Sequence, residues 1–512
     1  MTRGRRRPPA AGRAITWDLF RVAVRNVDLN SLILEAAAVT TMFANGQARE
    51  EWKALGITPW TIAEVARTAL AWGGPGGQHT DRDTLFGLTH MSAQLIDEQL
   101  AVRGAGDGAQ MSSDQLARLL ALMFFEQFPS QRSAFEGITR SILLFGSAAE
   151  IPPGFTPQLM TPGWFERITN GISFDDYVES VFLFSVMALS SNGAVSLDVL
   201  DSPGYRALGD VIHIDAARRV FTEHLLTSIN NFKRANHQAQ DPVPSAEKKF
   251  AFNPLSARPF VGGVAPVAVA PWVQAIITKV MPPAIYFLPA TELRKPFADD
   301  LGPVFQHYAG RQLELVDGER QVLSEVRYRL AKKDYDSCDW MLELPDVVVL
   351  IECKARQPIE SLRVGGTDWM RSIEDSIGKG IHQLNRSDAH IESIGALRPE
   401  LDISKPRVGL VVTLEPFYLN QNWLIRGRLE QAQIPTGVLS IGELEHLVLL
   451  DAEELGQALL GAARTSLDNV MLLNTALDHT NNRENPLLTK TWESIGLFSR
   501  VDRAAQRLGL DP

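Results

Sequence analysis

Cysteine is almost missing from this chain: 512 residues contain two, Cys338 and Cys353. Two thiols cannot staple a chain of this length and are too few for a zinc site of their own, so a hydrophobic core must do the work. Long apolar runs are also lacking. The longest, residues 181–189, is about half of what a bilayer crossing needs. The arginine-rich start (Arg3, Arg5, Arg6, Arg7, Arg13) has no apolar stretch behind it, which argues against a secretory signal. It reads as a basic tail over residues 1–14, with a nucleic-acid-touching arm as the sharper alternative. An overall excess of positive charge is absent: 50 Lys and Arg stand against 60 Asp and Glu, a formal net charge of −10. That excludes a surface coated for non-specific DNA binding but leaves room for a local basic groove.

What is present is an ordinary globular composition, 45% hydrophobic and 21% charged, in a chain long enough for two or three domains. Residues 15–233 carry helical spacing and predict an all-α domain for targeting, assembly or sensing, with helices over 61–72, 113–128, 174–189 and 215–232. Ser112 or Ser113 and Ser173 stand where N-caps are expected. The glycines of 73–77 are not followed by Gly-Lys-Ser/Thr and form a turn, not a phosphate cradle. Residues 234–249 read as a polar linker, and 250–295 as a Pro/Gly-rich segment of irregular or short β structure that leads into a helix over 271–280 and docks on the domain that begins at 296. From 296 to 450 the rhythm is α/β: helix 296–315, strand 325–330, a hairpin, helix 367–394, strands 407–414 and 437–441, and a capping box at Ser440 and Glu443. Residues 451–512 extend this as helix.

The hairpin carries the chemistry. Asp339-Trp340-Met341-Leu342 precedes a turn at Leu344-Pro345-Asp346. An almost wholly aliphatic strand comes next and ends in Glu352-Cys353-Lys354. Glu352 and Lys354 share one strand face. A turn centred between Pro345 and Asp346 pairs Trp340 with Ile351 and sets Asp339 opposite Glu352, about 5 Å away. Two carboxylates so placed repel unless a cation lies between them, and a lysine beside them suits a water or a phosphate oxygen. The set therefore points to Mg²⁺ or Mn²⁺ acting on phosphate. The same register faces Cys338 to Cys353 on the other side of the sheet. There they are expected to pack as small apolar groups in a reduced, cytoplasmic core, with a redox-sensitive disulfide as the lesser alternative.

Asp339, a spacer and Glu352-x-Lys354 on a hydrophobic strand resemble the PD-(D/E)xK nuclease superfamily, with its restriction-endonuclease-like fold, and most closely its Mrr-like and RecB-like bacterial branches. The resemblance covers about residues 296–450 and implies a mixed sheet flanked by helices. It implies Asp339, Glu352 and the Cys353 carbonyl as Mg²⁺ ligands, and Lys354 as the group that orients water. It also implies Gln383 on the next helix as a residue that holds the site or the phosphate. The implied activity is Mg²⁺-dependent phosphodiester hydrolysis of nucleic acid, with DNA as the first expectation and restriction or phage defence as the setting of similar proteins.

Departures from the pattern are specific. Many relatives have an acid on the first helix where this chain has Gln306, with Asp299, Asp300 or Glu314 as substitutes, and no Tyr follows Gln383 on its helix. Arg356 and Arg386 are candidate phosphate contacts or ordinary surface arginines, and Asp336 is an auxiliary acid or a turn residue. His382 and His390 fit no metalloprotease spacing and read as surface histidines. The alternative function is a nuclease-like protein that binds nucleic acid or a partner without cutting. A further one is a helical half that acts as the protein-interaction or self-assembly module. No membrane partner is expected.

Overall fold

The computed structural model describes residues 15–104, 133–202, 209–243, 245–355, 369–417, 426–480 and 483–507. The basic tail, the helix expected over 113–128 with its Ser112 or Ser113 cap, and Arg356 lie outside these residues. The chain divides into two compact units that interleave in sequence. One comprises Met1–Gln115, Phe182–Val199 and Phe221–Ile277, and the other Leu116–Val181, Leu200–Val220 and Thr278–Pro512. Among the described residues no helix is long and apolar enough to cross a membrane.

The first unit is built on helices α1 (Leu29–Ala44) and α2 (Pro59–Trp72). Asp28 caps α1 by accepting the Ser31 N–H, and Thr58 and Thr61 form a capping box on α2. This half is not all-α. Strands β1 (Ala194–Val195), β2 (Leu226–Ser228), β3 (Phe260–Gly262) and β4 (Ala268–Val269) form a sheet in the order β1-β4-β3-β2. Strands of two or three residues are too short to show alternation, which hides β1 and β2, whereas β3 and β4 fall where short β structure is expected, within residues 252–271. The helix expected over 215–232 accordingly stops at Val220 and gives way to a π turn, Phe221–Leu225, and β2. Residues 260–269 of the expected docking segment supply β3 and β4.

The expected linker is also structured. Helix Ile229–Gln240 runs through its first half, capped by Ser228. Its buried stripe is Phe232, Asn236 and Gln240, and the two amides bond each other at 3.1 Å. A polar buried face conceals the period. Farther on, the fully buried Arg67 donates to the Lys248 and Ala251 carbonyls at 2.6 and 2.7 Å and to Glu64 at 2.7 Å, which fixes residues 248–251 against α2.

In the second unit, helices α3 (Ala134–Phe145) and α4 (Arg294–Leu313) precede strands β5 (Gln321–Ser324), β6 (Arg327–Leu330), β7 (Lys333–Asp336), β8 (Trp340–Glu343) and β9 (Val348–Lys354). Helix α5 (Lys379–Ala389), strands β10 (Arg407–Thr413) and β11 (Thr436–Ser440), helix α6 (Ile441–Leu447) and helix α7 (Pro486–Glu493) come after them. The helix expected over 367–394 is thus broken into Trp369–Ile373, a π turn Glu374–Gly378, α5 and Ile391–Gly395. Its stripe of Ile373, Ile377, Ile381 and Leu384 is buried all the same.

The sheet order is β11-β10-β9-β8-β5, with β9, β10 and β11 parallel and β5, β8 and β9 antiparallel. Helix α4 packs on the face that carries Trp340. Gly310 is required there, because a Cβ would sit 2.1 Å from the Trp340 ring. Helix α5 covers the opposite face, where Ile381 and Leu384 meet Met341, Leu350 and Val411. Here too a glycine sets the distance: a Cβ on Gly380 would stand 2.9 Å from Val411.

A buried polar knot joins the helices. Arg140 on α3 pairs with Glu445 on α6 through Nε at 2.7 Å and Nη2 at 2.5 Å. Tyr308 on α4 donates to the same carboxylate at 2.7 Å, and Gln312 donates to Tyr308 at 2.9 Å. Asn485, at the start of α7, donates to Gln312 Oε1 and to the Glu445 carbonyl, both at 2.8 Å. Burial and the neighbouring carboxylate raise the Tyr308 phenol well above its ordinary value, so it stays a donor. Replacing Glu445 by Ala strands the Arg140 charge in the core. The expected cost is about 3–5 kcal/mol in unfolding free energy, read from urea denaturation, and an unshifted midpoint would contradict this role for the knot.

Candidate functional site

The hairpin register is the one its residues imply: Trp340 pairs with Ile351, and the Leu344 N–H donates to the Val347 carbonyl at 2.9 Å. Beyond Trp340 the ladder changes. Ser324 pairs with Trp340, yet the next paired positions are Arg327 and Asp336. Two residues on one strand, Glu325 and Val326, therefore oppose three on the other, Ser337, Cys338 and Asp339. This is a β-bulge, which bends the strand and re-aims a side chain. The Glu325 N–H still donates to the Asp339 carbonyl at 2.9 Å, and the Val326 N–H is taken by Ser337 Oγ at 3.0 Å.

The bulge decides what Asp339 does. An unbroken ladder would give the Cys353 N–H the carbonyl of Cys338 as its acceptor. Instead Asp339 Oδ2 accepts the Cys353 N–H at 2.7 Å. The carboxylate replaces the lost carbonyl and is held against the end of β9. For the same reason the expected pairing of Cys338 with Cys353 does not form. Cys338 turns into the α5-side core beside Ile381 and Leu384, its thiol donating to the Trp340 carbonyl at 3.4 Å. Both cysteines are free, and desolvation raises both thiols, with the nearby Asp339 and Glu352 adding to it in each case. Cys353 therefore contributes backbone, not thiolate.

Glu352 and Lys354 leave β9 toward α5. The Glu352 residue is 1% exposed. Its Oε1 accepts from Lys354 Nζ at 2.7 Å, while Oε2 is buried without a hydrogen-bond partner. Lys354 Nζ also donates to Gln383 Oε1 on α5 at 2.5 Å. The structure thus brings together Asp339, Glu352, Lys354, Gln383 and the backbone of Cys353. Burial, then the Asp339 charge, push the Glu352 carboxyl up to about 8, against the pull of Lys354. Burial raises Asp339 as well, opposed by the Cys353 N–H and Lys354. Gln383 also lines an open groove of about 560 Å³ bordered by Lys379, His382, Arg428, Glu374 and Glu430.

Other candidates fall elsewhere. Asp300 accepts the backbone N–H groups of Gln158, Leu159 and Met160, a buried loop anchor and not a substitute acid. Asp299 pairs with Lys295, and Glu314 lies near Arg320. The Gln306 carbonyl accepts the Trp340 indole N–H at 2.8 Å. Asp336 pairs with Arg327, and Arg386 donates to the Asp336 carbonyl and lies over the Tyr335 ring. His382 meets Glu430, and His390 meets the Tyr328 hydroxyl. Among the described residues no group of three or more His, Cys, Asp or Glu side chains is set to hold a metal ion. One acid escapes a reading by motif: Glu325, whose backbone bonds Asp339 across the sheet. Its signal in the sequence is only the register of β5 against β8.

The buried carboxyl has a measurable consequence. An unfolded chain gives up the Glu352 proton near 4.5, while the folded chain keeps it to about 8. The native state therefore binds more protons in that window, and stability falls as pH rises through it, each tenfold change in acid constant being worth about 1.4 kcal/mol. In chelator-treated buffer, Glu352→Gln is expected to flatten this slope and to be the more stable protein at pH 8. Parallel pH profiles of the urea midpoint for the two proteins would refute it. No family model matches this chain, and neither a curated protein nor a solved structure matches it.

Proposed function

We propose that the second unit is a metal-dependent nuclease with a restriction-endonuclease-like core, hydrolysing phosphodiester bonds of nucleic acid, with DNA the first expectation. The observation that carries this reading is Glu352 Oε2: a buried carboxylate oxygen with no partner, on the same strand face as Asp339 and one hydrogen bond from a lysine. A bare buried oxygen needs a proton or a cation, and hard carboxylate oxygens suit Mg²⁺ or Mn²⁺. Asp339 and Glu352 would hold the ion, and the Cys353 carbonyl leaves β9 on the same edge as the N–H that meets Asp339. Bound there, the ion would lower the pKa of a water and offset phosphate charge.

The chain's own groups divide the remaining work. Lys354 has three N–H donors and spends two on Glu352 and Gln383, leaving one for the attacking water or a phosphate oxygen. Gln383 fixes the ammonium from α5, and Gly380 lets that helix approach closely enough to do so. The groove beside Gln383 has the size of small-ligand sites, and its lining sets Lys379 and Arg428 beside Glu374 and Glu430. Water attacks phosphorus in line, the P–O bond to the leaving oxygen breaks, and that oxygen takes a proton. By analogy with the family it resembles, a chain of this kind would serve in restriction or phage defence, with the helical half targeting or assembling it.

The test is cleavage of labelled DNA and RNA with Mg²⁺ or Mn²⁺. Asp339→Ala, Glu352→Ala and Lys354→Ala are each expected to lower the rate at least about 100-fold, and Gln383→Ala to lower it less. Equal rates in wild type and all of the first three variants would reject the reading. A second reading, binding without cutting, draws on the amide at Gln306 and on the two-carboxylate count of the site. It expects salt-sensitive nucleic-acid binding with no cleavage under any metal.

A further inference from the structure

We propose that the ribbon of β6 and β7 is a duplex-DNA contact that enters a groove tip first, with Lys332 and Lys333 on the phosphates. This names the substrate class of the nuclease reading above and rests on it. The two strands form a sheet of their own beyond the bulge. Leu330 pairs with Lys333, so the turn consists of Ala331 and Lys332 alone. Both hold positive φ, 47° and 71°. Two-residue hairpin turns of this kind favour Asn-Gly, because a Cβ crowds the backbone in the left-handed conformation. Folding alone would favour glycine at 332. The chain has a lysine there, exposed and with no hydrogen-bond or ion-pair partner among the described residues.

Charge points to the partner. Residues 327–336 hold four basic side chains and two acids, in a chain whose net charge is −10. Arg327 meets Asp336 at 2.7 Å and Arg329 meets Asp334 at 3.7 Å. The charges of Lys332 and Lys333 are left unanswered at the tip. Leu330 beside them is 39% exposed. Two ammonium groups flanking an apolar side chain match a groove, with phosphates at its edge and a thymine methyl within.

The aromatic residues of the ribbon decide between single and double strands. Single-strand sites offer exposed rings on which bases stack. Here Tyr328 is 2% exposed and bonded to His390. Tyr335 has Tyr328 stacked on it, with Lys333 and Arg386 over its ring. Both rings thus anchor the ribbon, which matters because a two-stranded ribbon alone is marginally stable. The major groove of B-DNA admits such a ribbon, whereas that of duplex RNA is too deep and narrow. The ribbon is also tied to the site. Arg386, three residues along α5 from Gln383, donates to the Asp336 carbonyl, and β7 leads through the bulge to Asp339. From Lys332 to Asp339 the chain reaches about 20 Å, roughly six base-pair steps, so tip and site meet one duplex.

The test is binding of a fluorescent DNA duplex to the full chain, read by anisotropy over a range of salt, with Ca²⁺ filling the metal site in place of Mg²⁺. One strand alone and the matching duplex RNA are run beside it. The double variant Lys332→Ala, Lys333→Ala is expected to bind duplex DNA about tenfold more weakly and to lower the slope of log affinity against log salt by about two. Its single-strand and duplex-RNA binding should be unchanged. Lys332→Gly separates contact from structure: it relieves the turn, so its urea midpoint should rise while its duplex affinity falls. Lys332→Arg should bind as wild type does. Unchanged duplex binding in the double variant, equal losses on the single strand or on duplex RNA, or a wild type that binds no duplex overturns the proposal. The two readings fail separately. Tip-dependent duplex binding without cleavage in Mg²⁺ or Mn²⁺ keeps the ribbon and removes the hydrolysis. Cleavage that needs Asp339 and Glu352, with undiminished duplex binding in the tip variants, does the reverse.

Discussion

The second unit is organised around one costly feature, a glutamate carboxylate buried at the end of an aliphatic strand. Val348, Val349, Leu350 and Ile351 are fully buried, and Glu352 continues their line without returning to solvent. Such a group is tolerated only with a proton, a cation or several donors. Lys354 supplies one donor, from the same strand and face, and α5 supplies Gln383 to hold that lysine in place. The close seating of α5 at Gly380 serves the same end. The second carboxylate oxygen is left with nothing, and the proposed chemistry arises from that deficit.

The bulge is the device that brings the second acid to it. A regular ladder would have carried Cys338 opposite Cys353 and let Asp339 project with no backbone partner. With one residue extra on the returning strand, the Cys353 N–H loses its carbonyl acceptor and takes the Asp339 side chain instead. The same bond satisfies a strand end and fixes a carboxylate, so the positioning of Asp339 does not depend on a bound ion. The two-stranded ribbon of β6 and β7 beyond the bulge is held separately, by Tyr328 stacked on Tyr335 and bonded to His390. Its pairs between Arg327 and Asp336 and between Arg329 and Asp334 make the ribbon's outer face self-neutralising.

Much of this was legible in the residues, and the limits have physical reasons. The aliphatic run, the turn at Leu344-Pro345-Asp346 and the two-residue spacing of Glu352 and Lys354 specify a register, because a one-residue slip would bury the wrong face. Capping boxes are local and read directly, as at Ser440 and Glu443. The bulge leaves no such trace, since Ser337, Cys338 and Asp339 fit a regular strand as well as an irregular one. The helix Ile229–Gln240 was hidden beyond residue 233 because its buried face there is built from paired amides, and β1 and β2 because strands of two or three residues are too short to alternate. The interleaving of the two units joins segments far apart in the chain, which no window of sequence reports.

The buried acid also bears on why such a site would be kept. A glutamine at position 352 would still accept from Lys354 and would carry no charge to desolvate. An aliphatic residue there would match the strand before it. Either would suit the fold better than a carboxyl held far from its ordinary acid constant by burial and by a second acid. Strain of this kind persists where the surroundings over-determine it, and here three elements do: β9 places the carboxylate, the bulge adds Asp339, and α5 fixes the lysine. A purely structural polar group would have its second oxygen satisfied, as both oxygens of Glu445 are by Arg140 in the same unit. The contrast between these two buried glutamates, one complete and one left open beside another acid, is the strongest physical ground for reading the first as scaffold and the second as a site.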